Sequence, residues 1–317
     1  MFEYKRLLLS LNATIRYNAE LIINKNNDSH LHDEMEKDEK IEGIIQELKS
    51  WPGPQISSHK SANQYFHKLV FLADIGLDKS SKSIEQIGNM ILKNFDHNNV
   101  PCLQMTISEK YGGTGKSEKA WALCDAPSIL YALKKMGFNN EKVNKGIEYL
   151  VNLIEPFGFT CNVSQALGRW HGPGRKSDPC PYATLIMLKL MNLDPEKYSN
   201  EILICANALL ELWEFSWQKH PYIFYMGNDF RKLKVPFIWY DIVHVTSVMS
   251  QISIVKNDKR LQNMFSVIKE KETNQGYIPE SIYMPWKGWD FGQKKRISEW
   301  LSLCILETEF QLTTDSS

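Results

Sequence analysis

The chain has 317 residues, of which 43% are hydrophobic and 23% charged, ordinary proportions for a globular protein with room for one large core. Lys plus Arg and Asp plus Glu both number 37, so the formal charge is zero. That balance argues against a general polyanion binder, which needs a basic surplus to displace counterions, and no nucleic-acid partner is expected. No stretch approaches the roughly 20 apolar residues that cross a bilayer, so no membrane span is expected either.

The first predicted element is an amphipathic helix within residues 1–24. Its apolar run, Leu7, Leu8, Leu9, Ser10 and Leu11, gives way at once to Asn12, Arg16 and Asn18, a pattern too short for a signal peptide. Residues 25–60 read as a polar linker followed by an outer helix. The linker, from Asn24 to about Lys40, carries His30 and His32 beside Asp33 and Glu34, but nothing nearby would hold metal ligands rigidly, and it reads as solvated.

From residue 61 to 317 the chain repeats itself. LVFLADIGLD, ILYALKKMGFN and LIMLKLMNLD share one shape: an apolar helical stripe, a Gly or Asn terminator (Gly76, Gly137, Asn192), an apolar residue, then Asp or Asn. Gly and Asn tolerate the left-handed conformation that ends a helix. Weaker copies follow near Gln251 and at WLSLCILETEF. The period of about 55 to 60 residues holds two helices and their loops. Amphipathic second helices such as EKVNKGIEYLVNLI lie between the copies, and strand signals are nearly absent. GGTGKS at Gly112–Ser117 is not a phosphate-binding loop, since the position that needs the first glycine is Lys110 and no strand precedes it. A stack of helix pairs leaves two apolar ends unless it is capped or closed. The expected fold is therefore all-α, a single-domain α/α toroid of five helix pairs, with the first helix completing the ring. Inner helices are expected to start near Asn63, Asp125, Asp178, Trp239 and Ser298.

NATIRYNAELII, the inner helices just quoted, RKSDPCPYATLIMLKLM, YMGNDFRKLKVPFIWYDIVHVTSVMSQ and WDFGQKKRISEWLSL together resemble the bacterial family of prenyltransferase and squalene-oxidase repeat proteins. That family is related by fold to squalene–hopene cyclases and protein prenyltransferase β subunits. The resemblance covers nearly the whole chain and implies the same α/α toroid. No Asp-x-Asp-Asp acid of the class II terpene cyclases occurs, which disfavours cyclisation started by protonation.

Within that resemblance, Asp178, Cys180 and His244 match in order and approximate spacing the Asp, Cys and His that hold catalytic zinc in prenyltransferase β subunits. Zinc is thus the candidate cofactor, with a fourth position open for a thiol; the alternative is a buried helix-start cysteine and a hydrogen-bonded core histidine. Three cationic groups precede inner helices: Arg231, Lys232 and Lys234; Lys294, Lys295 and Arg296; and Arg169, His171, Arg175 and Lys176. Converging at a cavity mouth they would suit a diphosphate or carboxylate; as solvated loop charges they would do nothing specific. Asp229, Asp241 and Asp290, with Tyr240, are the candidate acids beside aromatics. Asp241 and His244, three residues apart on one helix face, form a candidate acid–base pair. Asp125, before Ala126 and Pro127, reads as a helix cap. Trp239 and Trp289 belong to the aromatic excess of the C-terminal half, which fits a ligand cavity.

The expected function is therefore action on, or binding of, an apolar, isoprenoid-like small molecule with an anionic head. A non-catalytic binding scaffold and a carbohydrate-active toroid using paired carboxylates are the alternatives. The six cysteines (Cys102, Cys124, Cys161, Cys180, Cys205, Cys304) are scattered with no Cys-x-x-Cys pair, the usage of a reducing compartment, and the chain is placed in the cytoplasm.

Overall fold

Two kinds of helix account for most of the molecule, and the spacing of their apolar residues tells them apart. The computed structural model describes residues 4–56, 58–172, 177–218 and 224–314. After a 3-10 turn at Tyr4–Leu9 come α1 (Ala13–Ala19), α2 (Ser29–Glu36), α3 (Glu39–Leu48), α4 (Tyr65–Asp74) and α5 (Lys82–Leu92). An antiparallel hairpin of β1 (Leu103–Thr106) and β2 (Ser117–Ala120) follows. Then come α6 (Ala126–Lys135), α7 (Glu141–Val151), α8 (Pro181–Met191), α9 (Ser199–Glu214), α10 (Ile242–Ser250), α11 (Lys259–Lys269) and α12 (Glu299–Thr313).

In α4, α6, α8, α10 and α12 the burial is nearly continuous. Phe66–Ala73 is buried without a break, as is all of α10, and every residue of α8 except Lys189. The helices between them bury one stripe only: Ile84, Ile87, Gly88 and Ile91 in α5, and Leu261, Met264, Phe265 and Ile268 in α11. A stripe at intervals of three and four residues is the mark of a helix with one face in water, and all-round burial that of a core helix. The five core helices begin within a few residues of the positions expected from the repeat.

The chain divides into two compact units. One is built from Gly43–Leu212; in it α4 packs on α6, α6 on α8 and α6 on α7. The other is built from the chain through Glu42, the segment Trp213–Gln218 and the chain from Tyr225 onward; in it α10 packs on α11 and α12, and α1 packs on α2 and α12. No helix among the described residues is long and apolar enough to cross a membrane.

The repeat signature has a physical basis in the helix ends. Gly76 (φ 99°) and Gly137 (φ 91°) are left-handed, and the next residues donate back to the helix: Leu77 N–H to the Leu72 carbonyl at 3.1 Å, Phe138 N–H to the Leu133 carbonyl at 2.9 Å. Leu77 and Phe138 are both buried, which is why an apolar residue follows the glycine. Asn192 departs from this expectation. It is right-handed (φ −68°), and the chain leaves α8 by successive three-residue turns, Leu193 N–H to Leu190 and Asp194 N–H to Met191.

Two further expectations are corrected. The segment read as a solvated linker contains α2, which Asp28 caps through the amides of His30 and Leu31. Met35 is fully buried, Arg16 pairs with Glu34 at 2.5 Å, and His32 packs edge-on against Tyr17. The short hairpin was also missed: β1 alternates buried and exposed residues, but over only four positions.

A carboxylate ties three core helices together near their C-terminal ends. Asp74 Oδ1 accepts from the Tyr131 hydroxyl at 2.7 Å and from Lys135 Nζ at 3.3 Å, and Oδ2 accepts from Lys189 Nζ at 2.7 Å. Burial works to raise its pKa, but Lys189 and then Lys135 overcome this and hold the carboxyl well below the usual range. Asp74→Ala is expected to cost about 2–3 kcal/mol, because two lysines then face each other without a counter-charge. The folded pKa lies below the unfolded one, so this contribution is present above about pH 4 and fades at lower pH. Urea unfolding of both proteins at pH 7 and pH 3 measures it: the gap between them should narrow in acid.

Candidate functional site

The segment before α10 carries the densest group of expected functional side chains, and most of them satisfy one another. Asp229 accepts from Lys232 Nζ at 3.2 Å and from Lys234 Nζ at 3.3 Å. Its carboxylate is largely exposed, whereas Lys234 is buried. Burial raises the Asp229 pKa, but the lysines, Lys234 first, pull it below the usual value. Tyr240 is buried with its ring 5.1 Å from Phe230.

Asp241 occupies the N-cap of α10. Its backbone is extended (φ −148°, ψ 169°), so the side chain folds over the helix end, where Oδ1 accepts the His244 N–H at 3.0 Å. Asp241 and His244 are thus joined through a backbone amide. The imidazole turns elsewhere: Nδ1–H donates to the Trp239 carbonyl at 2.9 Å, and the ring stacks on Phe237 at 4.8 Å. The expected side-chain pairing on one helix face does not form, because a cap residue lies outside the helical turn that would align it. Asp241 Oδ2 is buried with no hydrogen-bond partner among the described residues. Burial pushes this carboxyl up to about 7, against the opposing pull of Lys234 and the cap amides.

Arg231 is placed differently. Its guanidinium lies 4.8 Å from the centre of the Trp213 ring and 5.6 Å from that of Trp217, and Nε donates to the Met226 carbonyl at 3.3 Å. No carboxylate among the described residues pairs with it. Around it Trp217 and Tyr225 meet edge-to-face at 5.6 Å, and Phe215, Trp217 and Tyr225 are all exposed. Large aromatic side chains rarely stay in water in such a group without a use.

Asp290 is structural. Oδ2 accepts from the Ser298 hydroxyl at 2.8 Å and the Trp300 N–H at 3.0 Å, while Ser298 Oγ accepts the Leu301 N–H, so the two side chains together cap α12. Trp289 is half-buried and stacked on Phe291 at 5.7 Å. Lys294, Lys295 and Arg296 are exposed on a turn organised by Gln293 Oε1. His171 is exposed, and Arg175 lies outside the described residues.

In the Gly43–Leu212 unit, His59 Nε2 lies 2.7 Å from Asp125 Oδ2. Asp125 is fully buried and also accepts the Ala122 N–H at 3.2 Å; it makes no capping bond to α6, contrary to the capping expectation. Burial raises its pKa and the bond to His59 opposes this. His67 Nε2–H donates to the His59 carbonyl at 2.9 Å, and burial lowers the His67 pKa to about 3, which keeps it neutral. Cys180, at the head of α8, is buried, and its thiol pKa is pushed up, by the Cys124 thiol first and by burial, against an opposing pull from Cys161. Asp178 is half-buried, with only a long 3.5 Å contact from the Ser177 hydroxyl. Among the described residues no group of three His, Cys, Asp or Glu side chains is arranged to hold a metal ion, so the zinc expectation for Asp178, Cys180 and His244 gains no support.

Sequence reading missed the His59–Asp125 contact and the placement of Arg231 over two tryptophan rings. Cys124, Asp125 and Cys180 all stand at core-helix heads, and that shared place in the repeat was the available signal. No protein-family model and no curated protein sequence matches this chain.

Asp241→Ala is expected to cost about 1–2 kcal/mol through loss of the cap, while Asp241→Asn, which can still cap, should be near neutral at about pH 4.5, where the buried carboxyl is protonated. The folded pKa of Asp241 stands above its unfolded value. The folded state therefore holds the extra proton between about pH 4 and 7, and this residue's contribution to stability falls as pH rises through that window. Denaturation midpoints of wild type and Asp241→Asn should diverge between pH 4.5 and 7.5, with the variant gaining; parallel curves would refute the buried titration.

Proposed function

We propose that this chain is a helical-repeat binding protein of the α/α toroid kind, and that it takes a small molecule with an apolar or aromatic body and an anionic head. The observation that carries this reading is Arg231: a cation 4.8 Å from the Trp213 ring centre and 5.6 Å from that of Trp217, without a carboxylate partner among the described residues, in a unit that also exposes Phe215, Trp217 and Tyr225. Stacking fixes the guanidinium plane and leaves its edge for an anion, and the neighbouring rings offer apolar surface to the rest of the ligand. Lys232 and Lys234 are neutralised by Asp229 and add less. An isoprenoid diphosphate is the ligand class that the resemblance to prenyltransferase-type repeats implies, and it has both halves. Ring closure draws support from the five core helices at the repeat spacing and from the packing of α1 on α12, the last of them.

A second reading, acid–base catalysis at Asp241, draws on the buried Oδ2 and the raised pKa. It is the weaker one, because Oδ1 caps α10 and the His244 ring is engaged by Trp239 and Phe237. Paired carboxylates for a carbohydrate substrate find less support still, with Asp229 held by lysines and Asp290 by a cap.

Titration with farnesyl diphosphate, followed by tryptophan fluorescence and calorimetry, tests the binding reading against farnesol and pyrophosphate as its two halves. The diphosphate ester should bind more tightly than either half. Arg231→Met should weaken it at least about tenfold, or about 1.4 kcal/mol, with little change in melting temperature. Equal affinity in the variant would dismiss Arg231 as the anion contact. Small-angle scattering tests closure: a compact chain of this length has a radius of gyration of about 20 Å, and an open superhelix would exceed it clearly.

A further inference from the structure

A cavity of about 270 Å³ in the Gly43–Leu212 unit is left unused by the binding reading. Its lining is Lys134 in the last turn of α6, Asn139 in the turn that follows, Asn144 in α7, and Leu193 and Asp194 just beyond α8. Two of these residues come from one place in the repeat. Asn139 and Asp194 each follow the apolar residue that closes a core-helix signature, as Asp78 does in the first copy. Asp78 is engaged in its own turn, where Oδ1 accepts the Ser80 N–H at 2.8 Å. Asn139 makes no such bond, and Asp194 instead pairs with the ammonium of Lys134. The repeat thus delivers two polar side chains to one cavity with no local turn to hold.

The polar groups here are satisfied unevenly. Asn140 caps α7, its side chain accepting the Val143 N–H at 3.0 Å. The carboxamides of Asn139 and Asn144 bond to nothing among the described residues. Lys134 and Asp194 pair with each other, yet an ammonium has three donors and a carboxylate about four acceptor sites, so each keeps capacity for a ligand. Phe138, Val143 and Met191, close in sequence to the lining residues, are core side chains and fix the backbone around the cavity. Asn139 is exposed and the other four are half-buried, so a ligand enters from solvent.

These groups select by chemistry. A lone anion would meet Asp194, and a lone cation Lys134. An apolar molecule would strip two carboxamides of water and return no hydrogen bond. A zwitterion would have to part Lys134 from Asp194. Hydroxyl groups both donate and accept, as a carboxamide does, and they add to the ion pair without breaking it. At roughly 30 Å³ per water the volume equals about nine of them, room for one sugar ring and too little for a chain of rings. We propose that this cavity binds a neutral cyclic polyol, a single monosaccharide or an inositol, through Asn139 and Asn144, with Lys134 and Asp194 completing the hydrogen-bond set. Leu193 supplies apolar contact for the C–H face of the ring. The site is independent of the Arg231 reading, whose residues belong to the other unit.

Sugars raise the melting temperature of proteins in general by exclusion from the surface, so the test reads the site itself. The side-chain amide signals of Asn139 and Asn144, assigned through their backbone, are followed by NMR in the isotope-labelled full chain. Glucose, galactose, mannose and myo-inositol are added in turn, with glycine and inorganic phosphate as the charged comparisons. At least one of the four polyols should move both signals along a saturating curve. Asn139→Ala and Asn144→Ala should each bind it at least about tenfold more weakly, with an otherwise unchanged spectrum. The wild-type curves alone decide the matter if a variant does not fold. Shifts that never saturate, saturating shifts that bypass both amides, unchanged affinity in either variant, or a response to glycine or phosphate with none to the polyols would each overturn the assignment.

Discussion

Burying a helix completely forces a solution for its ends. The first amides of a helix have no partners within it, and a buried end cannot leave them to water. Four of the five core helices meet that demand at their N-terminal heads with a side-chain cap or a first-turn proline, and the capping side chains are the ones a search for catalytic residues picks out first. Asp241 closes α10, and Ser298 with Asp290 closes α12. At α6 and α8 a proline stands in the first helical turn, where the missing N–H removes one orphan donor. The polar residues gathered at these heads are therefore first of all a consequence of burial.

The same constraint sorts the charges. Where a loop precedes a buried helix, its cations must be neutralised locally or packed against apolar surface. Lys232 and Lys234 take the first course with Asp229. Arg231 takes the second, with its charge spread over two tryptophan faces. Only the second leaves a cation with directional capacity to spare, and that asymmetry separates Arg231 from its neighbours in a segment where the sequence shows four charged residues of apparently equal standing.

Much of the helical architecture was legible in the sequence, because it is written in local signals. Gly76 followed by Leu77, and Gly137 followed by Phe138, mark helix ends through backbone conformation and a buried contact, both set within a few residues. The helix α2 was not legible, since its polar sequence gives no stripe. It is fixed by the Asp28 cap and by contacts from Arg16 and Tyr17 in another helix. The short hairpin failed for a similar reason, as four alternating residues carry too little pattern. The candidate sites were the least legible. His59 and Asp125 come together across dozens of residues, and no spacing rule links them.

Equivalent positions in the repeat have diverged in use, and the divergence follows the partner each position meets. Asp125 and Asp241 both stand immediately before a core helix, both are fully buried, and burial raises the pKa of each. Asp241 meets the amide of its own helix and becomes a cap. Asp125 meets the ring of His59, which His67 holds through the main chain, and its bond to α6 is given up. Proline within the first turn of α6 makes this permissible: with one donor gone and the φ angle preset, the helix depends less on a side-chain cap. A carboxylate released from capping is free to hold an imidazole, and a buried carboxyl–imidazole contact of that kind is chemistry that the capped position in α10 does not have.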